Sequence, residues 1–466
     1  MKQQKAKQTG AGQEATRVNT RDLALEALLA VSREEAYSHV IVSSMLDKYN
    51  YLEVQEKAFL KRLIEGTLER RIQLDYCIDS FSKVPVRKMK PLIRELLRMS
   101  TYQLLFMDSI PDSAVCNEAV KLAQKHSFHS LKGFVNGVLR SISRDKEEIV
   151  YPDEKTDRSR SLSVRYSMPE WLIQKWDDEQ GSEKTEKILQ GLLEEKPVTI
   201  RLRTGLSEKE KADMKEELEK GGVQVTESTV LPFAWYLEKS EGLRNIEAFA
   251  KGKFTVQDVS SMLAVQAAGI RPGDFVVDTC AAPGGKMLFA SELTGRDGRV
   301  LARDVSERKL LFMEENKNRM KAENVTLEHF DACVCDESLK EKADVVLADV
   351  PCSGLGVMGK KRDIKYRVTE EGIRSLPELQ KEILTAVQSY VKPGGVILYS
   401  TCTINRAENE EMVTWFLENF PFEAESLVPF LPEQFCGEFV EKGYFQFLPG
   451  IHKTDGFFIA RFRRKE

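Results

Sequence analysis

Between Arg17 and about residue 148, apolar side chains recur three and four positions apart. Leu23, Leu25, Leu28 and Leu29 form one such set; Ala58, Leu60, Leu63, Ile64 and Leu68 a second; Ile93, Leu96, Leu97, Leu104 and Leu105 a third. That spacing places each set on one helix face. Pro85 and Pro91 bracket a basic loop with Arg87, Lys88 and Lys90, and Pro111 separates two further helices, so residues 17–148 are predicted to form an all-α domain. Residues 1–16, rich in Lys, Gln and Gly, read as a mobile tail. Residues 149–165 are charged, lack hydrophobic period and include Pro152; they read as a linker. From 166 to 250 the pattern is mixed. It suggests a short helix at 169–176, a half-exposed strand at 198–203, and a highly charged helix at 209–219. Gly221 and Gly222 close that helix before a strand at 223–225, which together suit a small α+β module.

Residues 251–466 read differently. Short, almost wholly apolar runs at 275–277, 299–302, 343–348 and 395–400, with a weaker one at 325–327, alternate with helical stretches such as 306–320. Such runs are expected of parallel strands covered on both faces by helices, an α/β architecture. The segments 445–448 and 457–462 suggest a closing antiparallel hairpin, and no internal repeat is apparent.

Charge adds a division between these regions. The 466 residues carry 69 Lys and Arg against 73 Asp and Glu, a net of -4, which excludes a generally basic nucleic-acid binder. Residues 1–150, however, hold 24 basic and 19 acidic side chains, a net of +5 against -9 for the remainder. The helical domain is therefore the part suited to a polyanion. There is no run of about 18 apolar residues and no apolar stretch after the basic start, so neither a membrane span nor a secretory signal is expected. Eight Cys without a Cys-x-x-Cys pair and five scattered His suit a reducing cytoplasm and give no support to a metal site.

In an open α/β sheet, ligands bind at the carboxyl ends of the strands. The first strand runs into Asp278-Thr279-Cys280-Ala281-Ala282-Pro283-Gly284-Gly285-Lys286. This matches neither G-x-G-x-x-G nor G-x-x-x-x-G-K-[ST], yet its small residues allow close backbone approach to a ligand. Asp304 follows the second strand; it can hold a ribose diol or begin the next helix. Asp331, after the third, can accept from an adenine amino group or be a loop carboxylate. The fourth strand leads to Asp349-Val350-Pro351-Cys352-Ser353-Gly354 and the fifth to Ser400-Thr401-Cys402-Thr403. A single Cys there is commonly a small buried hydrophobe. Two at strand ends, one close to Asp349, point instead to thiol chemistry. Lys360, Lys361, Arg362, Lys365, Tyr366 and Arg367 follow shortly after Cys352; five bases and an aromatic ring suit an RNA strand, or a solvated loop.

These motifs, in this order, resemble the RNA cytosine-5 methyltransferases of the RsmB/NOP/Sun group. Within that group the sequence looks more like the bacterial subgroup that methylates 16S ribosomal RNA. Asp455-Gly456-Phe457-Phe458 matches the group's terminal strand, and residues 17–148 resemble its NusB-like RNA-binding domain. Met287 departs from the Thr or Ser common after the Lys. The resemblance implies a Rossmann-like class I methyltransferase domain over 251–466, a small RNA-binding α+β module before it, and S-adenosylmethionine as methyl donor. By position, Cys280 to Lys286 cradle the donor, Asp304 holds its ribose, Asp331 lies by its adenine and Asp349 sits near its amine and the target base. Cys402 is the implied nucleophile at cytosine C6, and Cys352 the thiol that assists release. The partner is 16S ribosomal RNA presenting a single-stranded or flipped-out cytosine, with the protein a monomer in the cytoplasm and no metal or membrane involved. A methyltransferase of proteins or small molecules would need neither Cys402 nor the basic loop. A non-catalytic RNA-binding or antitermination protein would not need the intact Cys280–Lys286 loop.

Overall fold

The computed structural model describes residues 18–33, 36–240 and 242–466; the tail read at 1–16 lies outside them. Two compact units divide at Val150 and Tyr151.

The first unit is all-helical. Its helices are α1 (Thr20–Ser32), α2 (Ser38–Lys48), α3 (Val54–Glu69), α4 (Arg71–Phe81), α5 (Pro91–Phe106), α6 (Asp112–Lys125) and α7 (Lys132–Asp145). The i, i+3, i+4 residues Leu25, Leu28, Leu60, Leu63, Leu96, Leu97 and Leu139 are all fully buried in one core. Pro91 is the first residue of α5, where its missing N–H costs nothing.

The second unit begins with three helices, α8 (Arg158–Tyr166), α9 (Glu170–Gln180) and α10 (Ser182–Leu193). Helix α8 corrects the linker reading of 149–165. Asp157 caps it by accepting from the Arg160 N–H, and Leu162 and Val164 are fully buried. Nine residues are too few to display a helical period among so many charges. Leu162 joins Trp176, Ile188 and Leu189 in a core that also takes Leu355, Ile404 and Leu448 from the larger domain.

Next come β1 (Val198–Leu202), α11 (Glu208–Lys220), β2 (Gln224–Glu227), β3 (Ala234–Glu238), α12 (Glu247–Ala250) and β4 (Phe254–Val256). They form a four-stranded sheet in the order β2-β3-β1-β4. The boundary read at residue 250 is therefore moved: β4 pairs antiparallel with β1, Ile200 opposite Val256. Ser207 starts α11 with a capping box closed by Glu210.

The large sheet follows as α13 (Val259–Ala267), β5 (Phe275–Asp278), α14 (Gly285–Thr294), β6 (Arg299–Asp304), α15 (Glu307–Met320), β7 (Val325–His329), β8 (Ala343–Asp349), α16 (Ile364–Arg367), α17 (Glu370–Val387), β9 (Val391–Thr401), α18 (Glu410–Asn419), β10 (Phe422–Ala424), α19 (Glu438–Glu441), β11 (Tyr444–Phe447) and β12 (Phe457–Arg464). Its order is β10-β12-β9-β8-β5-β6-β7, with β11 also on β12. Strands β5 to β9 are mutually parallel, and β12 runs antiparallel to β9 and to β11, so the hairpin expected at the end of the chain is present. The chain moves from β5 outward to β6 and β7, then returns to β8 and β9 on the other side. The switch lies between β5 and β8, the point at which an open α/β sheet forms its ligand crevice at the carboxyl ends of the strands.

Candidate active site

The turn after β5 forms one wall of that crevice. Its backbone is anchored by Thr279 N–H to Leu347 O at 3.0 Å, Ala281 N–H to Arg303 O at 2.8 Å and Gly284 N–H to Ala281 O at 2.7 Å. Gly284 has φ +102°, and a Cβ there would meet Met287 Cε at 2.8 Å, so only glycine suits the position. Met287, the departure noted in the motif, is fully buried beneath the turn; it serves packing. Residues 280–286 thus place the start of α14 and a run of small residues at the switch point.

Carboxylates line the crevice. Asp304, nearly buried, accepts from the Ala282 N–H through Oδ2 at 3.2 Å and from the Ser306 N–H through Oδ1 at 3.0 Å. It therefore couples two strand-end loops as well as leading into α15. Asp331 is exposed and caps its own turn, accepting from the Cys333 N–H at 2.9 Å. Asp349 accepts from Lys286 Nζ at 2.6 Å and from Ser400 Oγ at 2.7 Å. Although burial works against it, Lys286 keeps a raised pKa because Asp349 and Asp278 stand beside it. Asp278 did not emerge from the sequence as a site residue. It is fully buried and neither carboxylate oxygen has a hydrogen-bond partner. Burial pushes its carboxyl up to about 7, with Lys286 opposing and Asp349 and Asp304 adding to the rise. Cys280, raised by burial and the same three carboxylates, is an inert thiol.

Two further thiols meet at the ends of β8 and β9. Cys352 Sγ and Cys402 Sγ are 3.2 Å apart, and the Cys402 N–H donates to Cys352 Sγ at 3.3 Å. The hydrogen bond between the thiols separates their acidities. Cys402 is held below its ordinary value by its hydrogen bond with Cys352, against burial and Asp349, with Lys361 and Lys286 pulling the same way. Cys352 is pushed well above it by the same hydrogen bond and by burial. Cys402 is therefore the more readily ionised of the two thiols, and the thiolate is the nucleophilic form of a cysteine.

The sequence also concealed what ties these loops together. Gly356 N–H donates to Cys402 O at 3.1 Å, and Gly456 N–H to Gly356 O at 2.9 Å. Glu408, fully buried, accepts from Ser353, Gln380 and Asn405. No spacing rule marks Glu408, because its partners lie 28 and 55 positions away as well as three.

The basic loop departs from its expected openness. Lys360 Nζ lies 3.0 Å from Asp258 and 2.6 Å from Asp455; despite burial, that ammonium holds the Asp258 carboxyl to about 2. Lys365 is buried, Arg367 pairs with Asp363 at 2.9 Å, and the Tyr366 hydroxyl lies 3.3 Å from Ser167 Oγ. Lys361 and Arg362 are half-exposed. A charge run read as a polyanion surface thus contributes much of its charge to internal pairs.

Three family models match consecutive parts of the chain. These are the NusB family at 18–144, the ferredoxin-like domain of RsmF/B-like methyltransferases at 168–243, and the 16S rRNA methyltransferase RsmB/F domain at 265–463. Across 96% of this chain, it is 36% identical to the probable ribosomal RNA small subunit methyltransferase B of Bacillus subtilis, covering 99% of that protein. The chain belongs to the ribosomal RNA small subunit methyltransferase B family. The corresponding probable protein of Synechocystis is 30% identical over 96% of this chain and all of its own length. The crystal structure of PH0851 superposes with a TM-score of 0.80 at 26% identity, covering 96% of this chain and 99% of that one. Family members depend on S-adenosylmethionine. The residues at the switch point suit that donor on their own chemistry: Asp304 and Asp349 offer acceptor oxygens to a ligand bearing hydroxyl, sulfonium and ammonium groups, and the buried Asp278 carboxyl has neither oxygen engaged.

Proposed function

We propose that this protein methylates C5 of a cytosine in 16S ribosomal RNA, with Cys402 adding to C6. The observation that carries the reading is the pair of thiols 3.2 Å apart at the ends of β8 and β9, next to the Lys286–Asp349 pair. Cytosine C5 is a weak nucleophile. Addition of the Cys402 thiolate to C6 makes C5 enamine-like, which divides one hard step into easier ones. Asp349, positioned by Lys286 and Ser400, is the group assigned to share a proton at N3 as charge builds on the ring. Cys352 assists loss of the C5 proton and collapse of the adduct. S-adenosylmethionine supplies an electrophilic methyl group when bound. The 280–286 loop, Asp304, Asp331 and Asp349 are the residues assigned to hold it. The cytosine must leave any stack to reach the crevice, so the target is single-stranded or flipped out. Lys361 and Arg362, both half-exposed, are the members of the basic loop assigned to the RNA backbone, and residues 1–150, with their net of +5, are assigned added affinity. The protein acts as a monomer in the cytoplasm and uses no metal.

The test is a denaturing gel of single-cysteine variants with S-adenosylmethionine and 16S ribosomal RNA. Cys402→Ala should abolish methylation and form no adduct. Cys352→Ala should accumulate a slow-migrating protein–RNA complex. The reverse pattern would exchange the two roles. No complex in either, with methylation intact, would remove covalent catalysis.

A further inference from the structure

Strand pairing brings Cys352 and Cys402 close but does not hold their loops. β8 ends at Asp349 and β9 at Thr401, so both sulfurs lie beyond the ladder. Beneath them lies Glu408. Its Oε2 accepts from the Ser353 N–H at 2.8 Å and from Gln380 Nε2 at 3.1 Å. Its Oε1 accepts from Ser353 Oγ at 2.6 Å and from Asn405 Nδ2 at 2.8 Å. Ser353 Oγ is also 2.7 Å from Thr403 Oγ1, and Gln380 Nε2 donates to Pro351 O at 3.0 Å. The Tyr399 hydroxyl donates to Glu408 O at 2.6 Å.

Every donor in this set comes from a residue within three positions of one of the cysteines or from α17. A fully buried carboxylate is costly unless its lone pairs are filled. An apolar side chain would serve packing at less cost, and no Lys or Arg pairs with Glu408 among the described residues. Burial pushes the Glu408 carboxyl up, and the four donors converging on its two oxygens pull the other way, as suits an acceptor-only carboxylate.

Charge is arranged to match. The titratable groups around the thiols are Asp349 at the end of β8, Tyr399 on β9, Lys286 on α14, Lys361 in the basic loop, and Glu408 itself. Lys286 and Lys361 favour the thiolate of Cys402, whereas Glu408 adds to the rise at Cys352.

We propose that Glu408 is the positioning residue of the thiol pair: through Ser353 and Asn405 it locks the Pro-Cys and Thr-Cys loops together, so that the Cys352 S–H points at Cys402. This rests on the function proposed above, and its test separates the two. In the full-length protein, E408A, E408Q and S353A are compared with E411A, an exposed neighbour, for methyl transfer to 16S ribosomal RNA. S-adenosylmethionine affinity, thermal melting and the pH midpoint of Cys402 alkylation by iodoacetamide are measured alongside.

E408A should lower kcat about 10²-fold, the scale of a slight misplacement of reacting groups, with S-adenosylmethionine affinity unchanged. Its alkylation midpoint should move upward as the Cys352 donor is lost. E408Q should recover most of the rate and the midpoint, because Asn405 Oδ1, buried and unpartnered, can turn to accept from the new amide. S353A should behave like E408A, and it carries the test if E408A does not fold. E411A should match the wild type. Folded E408A or S353A with wild-type rate and midpoint would overturn the proposal. So would a rate lost equally in E408A and E408Q with the midpoint unmoved, since that marks a purely structural role. Alkylation needs no RNA, so a wild type that fails to methylate cytosine C5 would defeat the functional reading while leaving this arm readable.

Discussion

Asp304 and Asp278 show how two carboxylates at the same switch point serve different ends. Asp304 has both oxygens engaged by backbone N–H groups and is preorganised to receive a diol. Replacing it with Ala should weaken S-adenosylmethionine binding by about 1–3 kcal/mol, the worth of a charged hydrogen bond; unchanged affinity by calorimetry would remove the assignment. Asp278 has neither oxygen engaged and titrates at about 7. Its folded-state pKa lies above the ordinary 3.8, so the folded protein binds the extra proton in that window. Stability should therefore fall as pH rises from about 4 to 7 and level off above. Denaturant midpoints across that range should show the slope, and Asp278→Asn should remove it. A parallel slope in the variant would place the titration elsewhere.

At the scale of elements, the site depends on backbones that approach without side chains between them. The loop after β8 touches the loop before β12 at Gly356 and Gly456, where a Cβ on Gly356 would meet Gly456 O at 1.9 Å. Because the obstacle is backbone, it cannot swing aside. Gly356→Ala should cost about 1–3 kcal/mol of stability, as overpacked sites do, and should displace the Pro-Cys loop. The thermal midpoint and the rate of Cys402 alkylation measure both effects; a variant unchanged in both would show that the loop tolerates the displacement. Pro-Cys, Thr-Cys and Asp-Gly-Phe-Phe are legible as separate motifs, but their mutual support through Gly356 is not. The hydrogen bonds joining them span about 50 to 100 residues of chain.

At the scale of the molecule, the division of charge coincides with the division into units. Residues 18–150 have their own core of buried Leu, Ile and Val, and this fragment should fold alone with a helical circular dichroism spectrum. Removing it should lower affinity for 16S ribosomal RNA and flatten the salt dependence of binding, since each phosphate contact contributes to that slope. A deletion that keeps both the affinity and the slope would assign RNA binding wholly to the second unit.

Much of this architecture is dictated locally. Period 3.6 marked the helices of the first unit because each buries one stripe, and apolar runs marked β5, β6, β8 and β9 because both faces of the sheet are covered. Strand-end position alone makes Cys352, Cys402, Asp304 and Asp349 candidates. The hidden parts depend on contacts distant in sequence. Helix α8 is short and charged, so only its packing against Trp176 and Leu189 reveals it. Strand β4 joins a sheet whose other members end before residue 240. Lys360, read as an RNA contact, finds Asp258 and Asp455 about 100 positions away on either side. Glu408 and Asp278 have no local signature: the first is defined by the donors that converge on it, the second by the absence of any. Periodicity and motif follow from neighbours along the chain and were determined by the sequence itself. Burial, charge pairing and the acidity of the two thiols depend on groups brought together in space, and only the tertiary structure decided them.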